Sequence, residues 1–371
     1  MYSTGIHESY TQRARCIDYL IALGTHPILS EDDKLKRVGI TALQKKNLYD
    51  DVKIMNHRWD RQNTFIKIGT ISEAEIEELT EGLLKERAEI SINRMIFDYD
   101  RVIILGPVFP HEIAGFSGSN KYLFPGICGW DFTDVTHWLG ALRTNMKTIG
   151  MKDTPQRRLI DRAAHMVGVP LVYFNLVVDR EGLKGLFIGD GNDAWEKAVD
   201  LSAQLNIIYE KRPYSKILSI PSKKYDDFWT GAKAFYKIEP VVEDGGTIVV
   251  YAPHIKDISI THREVIKEVG FHIKDYFVAN MKRYAKYHRA VLAYSALVKG
   301  AGTFIDDREK PRIKIVLSSA VPEHYCRALN LDYIDPSSID IAKWENQESK
   351  SIKVIHDAGE VLYRLTQAND G

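Results

Sequence analysis

Cysteine is scarce: Cys16, Cys128 and Cys326 are the only three, far apart and without a CxxC pair. An odd, scattered set builds neither a disulfide framework nor a cysteine zinc site, and it fits a reducing compartment. Net charge is also missing, because 50 Lys and Arg balance 50 Asp and Glu. The chain therefore has no bulk electrostatic footprint for nucleic acid. No run of about 18 apolar residues is available to span a bilayer, and the opening MYSTGIHESYTQR lacks the apolar core of a signal peptide. Low-complexity tracts and internal repeats are absent too. These absences lead us to expect a cytoplasmic globular protein that binds neither nucleic acid nor membrane.

What remains is a chain of 371 residues, 44% of them hydrophobic, long enough for two domains with a ligand cleft between them. Short runs rich in Val and Ile at 101–108 (RVIILGPV), 170–178 (PLVYFNLVV), 216–220 (KILSI), 247–252 (TIVVYA) and 312–318 (RIKIVLS) read as buried strands of a mostly parallel sheet. Helical patterns fall at 73–89, 155–167, 193–205, 261–268 and 281–298. In the second of these, Leu159, Ala163 and Val167 repeat at i, i+4, i+8 and form one buried stripe. Alternation of the two patterns predicts an α/β fold of two α/β domains. The polar, proline-containing YEKRPY at 209–214 is the expected crossing point, giving domains 1–212 and 213–371 with the active-site cleft between them.

The most unusual stretch is 101–130, RVIILGPVFPHEIAGFSGSNKYLFPGICGW. A strand ends near Gly106, and a turn-rich segment then presents His111, Ser117, Ser119, Asn120 and Lys121. Polar groups beyond the carboxyl end of an α/β strand often line a ligand crevice, and Gly115 and Gly118 permit close backbone approach. GFSGSNKY lacks the GxxxxGK[ST] order of a phosphate loop, and no GxGxxG is present here. From the residues alone, a dedicated ligand loop, a structural glycine-rich turn and an ordinary phosphate site all remain open.

HEIAGFSGSNKYLFPG resembles the His-x-x-AGFSGG-x-K-x-x-x-PG block of the nickel-dependent lactate racemase family, and His137 follows Lys121 by 16 positions, as in that family. GTHP at 24–27 is similar to the family's glycine-x-histidine-x-proline block with one residue missing. YDDFWTGAK at 225–233, followed by EDGGTIVVYA, resembles its second-domain lysine block. The resemblance implies a racemase or epimerase of a 2-hydroxy acid that works by reversible hydride transfer to a nickel pincer nucleotide, a pyridinium-derived mononucleotide whose two sulfurs and ring carbon hold the metal.

By the same resemblance Lys121 is the residue that can be thioamide-linked to the cofactor, and His137 is the metal ligand. An amine suits an acyl-type linkage once deprotonated, and imidazole is a suitable ligand for nickel. His26 and His111 match the two acid/base histidines, whose ordinary pKa permits both proton states near neutrality. Lys233 matches the lysine that steadies the substrate's carboxylate or reacting oxygen. Gly106, Ser117, Gly118 and Ser119 are expected in the cofactor loop, where hydroxyls and amides would meet phosphate oxygens. A small 2-hydroxy acid and cofactor-biosynthesis or loading proteins are the implied partners, and oligomeric state is left open.

The chain departs from the family pattern at its start. Arg13 and Arg15 lie within YTQRARC, but no DxTRP block supplies the expected carboxylate-binding arginine. Either the sequence begins late, or its subgroup anchors a different substrate, since lysine cannot reproduce a guanidinium fork. Thr230 stands where the family has glutamine, and Asn120 where it has arginine. A related 2-hydroxy-acid dehydrogenase and a non-catalytic cofactor- or partner-binding homologue remain as alternatives.

Overall fold

A computed structural model describes residues 14–366. All five expected strands form. β1 (Val102–Pro107) pairs in parallel with β2 (Leu171–Asp179), which pairs antiparallel with β3 (Gly182–Gly189). A second, wholly parallel sheet contains β4 (Tyr214–Pro221), β5 (Val242–Ala252), β6 (Lys314–Ser319), β7 (Asp332–Tyr333) and β8 (Ile352–Ala358) in the order β7-β6-β5-β4-β8. Ile217, Ile248 and Ile315 lie in register across its middle. Neighbouring residues on both faces of β4 and β5 are buried, which is why these strands read as continuous apolar runs rather than alternating ones.

The four longest helices among the described residues are α1 (Trp130–Arg143), α2 (Pro155–Ala164), α3 (Asn192–Asn206) and α4 (Arg289–Lys299). Thr154 caps α2 by accepting the Arg157 amide at 3.1 Å, with Pro155 in its first turn, the arrangement expected of a helix start. Leu159, Ile160 and Ala163 are fully buried, although α2 stops three residues short of the expected end.

Two expected helices are corrected. The one drawn over 73–89 ends at Leu79, where Glu81 and Gly82 take positive φ; Ala88–Asn93 is instead a strand, antiparallel to Phe65–Ile71. The other, 281–298, is broken into Met281–Tyr284 and α4 by His288, whose backbone is extended.

The fold is α/β, and its two largest cores each take residues from both sides of residue 212. One joins Phe116, Val177 and Trp195 to Ile217, Ile248 and Leu317. The other joins Phe132, Leu139 and Leu159 to Phe277, Leu292 and Ala296, through the packing of α4 on α1. Near the carboxyl end of the chain, Leu362–Leu365 pairs in parallel with Ile207–Glu210. Among the described residues no helix is long and apolar enough to cross a membrane.

Candidate active site

The loop leaving β1 is held by its own backbone. Pro110–His111 pairs antiparallel with Gly115–Phe116, with His111 opposite Gly115. Gly115 has φ +79°, and a Cβ there would lie 2.0 Å from the Met151 carbonyl oxygen, so no other residue fits. The Ser117 hydroxyl donates to Pro107 O at 2.9 Å and accepts the Phe109 amide at 3.0 Å, while the Trp195 indole donates to Ser117 O at 2.8 Å. Ser117 thus closes the loop onto itself. Gly106 makes room for Tyr122, whose ring would be 2.3 Å from a Cβ at that position.

Gly118, at φ +91°, turns the chain into the short 3-10 turn Ser119–Tyr122 that carries Lys121. The Ser119 amide donates to Asn175 Oδ1 at 3.1 Å, and its buried hydroxyl has no hydrogen-bond partner among the described residues. Arg157, 2% exposed, braces this turn: its Nη1 donates to Gly118 O at 3.2 Å, and its guanidinium lies 3.6 Å from the centre of the Trp195 ring. The turn is tied to the segment bearing His26, since the Gly24 amide donates to Gly126 O at 2.8 Å and the Gly126 amide to Lys121 O at 3.2 Å. Trp59 fixes His26 from the other side by donating to its carbonyl at 2.8 Å.

His137 sits on α1, one turn after Thr133. Its Nδ1 lies 2.8 Å from the Thr133 carbonyl oxygen, a pure acceptor, so Nδ1 carries the proton and Nε2 presents a lone pair. No hydrogen bond engages Nε2 among the described residues. Lys233 follows a short helix capped by Asp227, which accepts the Thr230 amide at 2.9 Å and the Thr230 hydroxyl at 2.6 Å. Thr230 therefore serves the local turn. The half-buried Lys233 ammonium meets no hydrogen-bonding or ionic partner among the described residues.

These groups act on one another. Burial, then Lys233 and Lys121, pull His26 down to about 4. The residue is nonetheless exposed to solvent, which limits the part burial takes in that fall and leaves a larger part to the approach of the two lysines. Burial also lowers His111 well below its ordinary value, against Glu112 and with Lys121, Lys233 and His137. His137 is lowered to about 4, chiefly by burial, with the Thr133 carbonyl opposing and Lys121 assisting. Burial brings the Lys121 amine to about 8, Glu112 opposing, Lys233 and Arg157 assisting. His26, His111, Lys121, His137 and Lys233 thus occupy one electrostatic neighbourhood, to which the chain on both sides of residue 212 contributes.

Sequence reasoning missed several members. Glu112, 1% exposed, is opposed by burial but kept below the usual carboxylate range by His111, Lys233, its own amide and Lys121. Because His111 is itself neutral, the lysines are the charges that hold Glu112 ionised. A lone acid inside an apolar, glycine-rich block was the available signal. His262, lowered to about 4 mainly by burial, packs 4.9 Å from Trp229, which stacks 4.5 Å from Tyr294, whose ring is 5.7 Å from His137. Nothing in the local sequence marks His262. Lys237 is buried, lowered to about 8 by burial and then Lys233, and lies 5.6 Å from the centre of the Phe109 ring.

Other polar and aromatic residues fall elsewhere. Arg58 and Asp60 pair with each other at 2.7 and 2.5 Å. His57 is buried with Nδ1 3.1 Å from Asn93 Nδ2, and Phe228, Phe235 and Tyr236 belong to the core. Arg15 is exposed, and Arg13 lies outside the described residues. Among the described residues no group of three or more His, Cys, Asp or Glu is placed to hold a metal ion.

Residues 6–150 match the family model of the lactate racemase N-terminal domain. Over 174 residues the chain is 24% identical to the lactate racemase of Thermoanaerobacterium thermosaccharolyticum, a match spanning 46% of this chain and 41% of that enzyme. The lactate racemase apoprotein from that organism shares the fold, with a TM-score of 0.72 at 17% identity, covering 97% of this chain and 81% of its own. The crystal structure of a protein from Thermotoga maritima superimposes with a TM-score of 0.87 at 32% identity, covering 98% of this chain and 89% of that one. With its amino-terminal part matched to that domain and its full length to these structures, the chain belongs to the lactate-racemase-like family.

Proposed function

We propose that this protein interconverts the stereoisomers of a 2-hydroxy acid, with a nickel pincer nucleotide as its cofactor, in a cleft to which residues before and after position 212 both contribute. The observation that carries the reading is the shared electrostatic neighbourhood of His26, His111, Lys121, His137 and Lys233. The residues suit such a group. A single histidine with a free Nε2 would be too little for an all-protein metal site, but it is sufficient where the cofactor brings the other donors. The Lys121 amine is shifted toward the neutral, nucleophilic form, and the unpartnered Ser119 hydroxyl is suited to a polar group of the nucleotide.

When bound, the cofactor supplies a reversible acceptor for the hydride on C2. The remaining work belongs to the chain. His26 and His111, both neutral near pH 7, are suited to exchanging the hydroxyl proton, one for each enantiomer. Lys233, which makes no direct ion pair or hydrogen bond among the described residues, is suited to hold the substrate's carboxylate or reacting oxygen, and a drier cleft strengthens that hold. Lys121 would tether the nucleotide and His137 would ligate its metal.

The test is production of the protein together with cofactor-biosynthesis enzymes, followed by intact mass, nickel content and chiral chromatography of several 2-hydroxy acids. We expect near-stoichiometric nickel, much reduced in His137→Ala, and inversion without consumption of a free nicotinamide. Absence of nickel and of any cofactor mass under conditions that load a known lactate racemase would overturn the cofactor assignment. Net oxidation without inversion would assign a dehydrogenase instead.

A further inference from the structure

We propose that Glu112 is a positioning residue that selects the proton-accepting tautomer of His111. The inference rests on the reading that His111 exchanges a proton with substrate. In the structure His111 Nδ1 accepts the Ile113 amide at 3.1 Å. A neutral imidazole that accepts at Nδ1 carries its hydrogen on Nε2, so in this state Nε2 can donate a proton but not take one.

To become a base at Nε2, the ring must carry its hydrogen on Nδ1 instead. That hydrogen cannot face the Ile113 N–H and needs an acceptor of its own. The Glu112 carboxylate provides one, its Oε2 lying 3.6 Å from Nδ1, about half an ångström beyond a normal hydrogen bond. A small ring rotation would exchange the amide for the carboxylate. One proton then leaves Nε2 and one is gained at Nδ1, so charge and proton count are unchanged.

Glu112 is built for this. Its other oxygen, Oε1, accepts the Tyr294 hydroxyl at 3.3 Å, and the Tyr236 hydroxyl lies close to the carboxylate as well. The carboxylate is ionised in a setting that contains Lys121, Lys233 and Lys237, with Tyr225, Tyr236 and Tyr294 as the neutral hydroxyl groups around it. The lysine ammoniums have no acceptor and the tyrosine hydroxyls accept only as neutral groups, so the carboxylate is the strongest acceptor of an imidazole N–H among them. A carboxylate that fixes the tautomer of a catalytic imidazole is a recurring device, and neutralising it in a serine protease lowers kcat by about 10^4.

The experiment is nitrogen-15 spectroscopy of histidine-labelled, cofactor-free protein between pH 6 and 8, with the His111 ring signals identified by their loss in His111→Gln. The wild type is expected to give ring-nitrogen shifts averaged between the two tautomers. Glu112→Gln is expected to give those of the Nε2–H form alone, as is Glu112→Asp, which keeps the charge but withdraws it by one methylene and serves if the glutamine variant does not fold. Loaded with cofactor, Glu112→Gln should lose kcat by about 10^2-fold or more with little change in KM, while its nickel content stays at the wild-type level. Identical His111 shifts in wild type and variants would overturn the proposal. A wild type that shows the tautomer change yet inverts no 2-hydroxy acid would instead count against the proposed reaction.

Discussion

At the scale of single residues, Lys121 combines a readily lost proton with partial exposure. With its amine at about 8, lowered first by burial, roughly one molecule in ten carries the neutral form at pH 7, against about one in 2,500 for an ordinary lysine. Its acylation by a small reagent should therefore rise through pH 8, where other lysines rise only above pH 10, and peptide mass mapping of briefly acetylated protein at pH 7, 8 and 9 reads this directly. Lys237 is shifted similarly but only 3% exposed, so it should react far more slowly; equal labelling of all lysines would contradict the picture. The buried histidines make a second prediction. His137 and His262 are both lowered to about 4 by burial, below the value of about 6.5 expected in the unfolded chain. The unfolded state therefore binds more protons between these limits, and the stability these neutral rings confer is present above pH 6.5 and lost as pH falls toward 4. Urea midpoints should decline across that window, less steeply in His137→Gln. A midpoint independent of pH there would refute it.

At the scale of elements, the loop leaving β1 works because two glycines occupy positions closed to other residues, and the two should not be equally sensitive. Gly115→Ala forces a methyl within 2.0 Å of the Met151 carbonyl, which is backbone, whereas Gly118→Ala meets the tip of the Val108 side chain at 2.5 Å. Both also carry the strain of positive φ. Gly118→Ala is expected to cost about 1–3 kcal/mol and Gly115→Ala more, about 3 kcal/mol or above, by urea unfolding; the reverse order would show that the loop yields where its backbone is packed. The sequence made this loop visible because glycines, serines and a lysine interrupt an apolar strand. It hid α1, the helix that bears His137, because nearly every residue from Phe132 to Ala141 is buried, and burial all round leaves no stripe at helical spacing. It also hid the strand at Ala88–Asn93, where Glu and Lys nearby extended a helical pattern past the positive-φ turn at Glu81 and Gly82. His262 comes near these residues through packing from a distant part of the chain, which no local pattern records, whereas Glu112 lies inside the block itself.

At the scale of the whole molecule, the question is whether 1–212 and 213–371 behave as separable bodies. Each large core mixes residues from both segments. Arg289, at the start of α4, forks onto Glu86 at 2.7 and 2.9 Å, and Asp134 of α1 accepts the Ala290 amide at 2.9 Å. The carboxyl-terminal strand closes the arrangement, with Arg364 donating to the Ile149 carbonyl at 2.7 Å and the Tyr363 amide to the Lys237 carbonyl at 2.8 Å. A segment cut at 212 would expose apolar surface that the other segment now covers, and burial of such surface is the main favourable term in folding. We therefore expect one cooperative transition, in which tryptophan fluorescence, reporting six tryptophans spread over both segments, and far-ultraviolet circular dichroism give the same urea midpoint. Arg364→Ala should move both signals together, because the strand it anchors touches both segments. Two separated midpoints, or a shift in only one signal, would show bodies that fold independently, and the surroundings of His26, His111 and Lys233 would then be free to open rather than fixed by a common core.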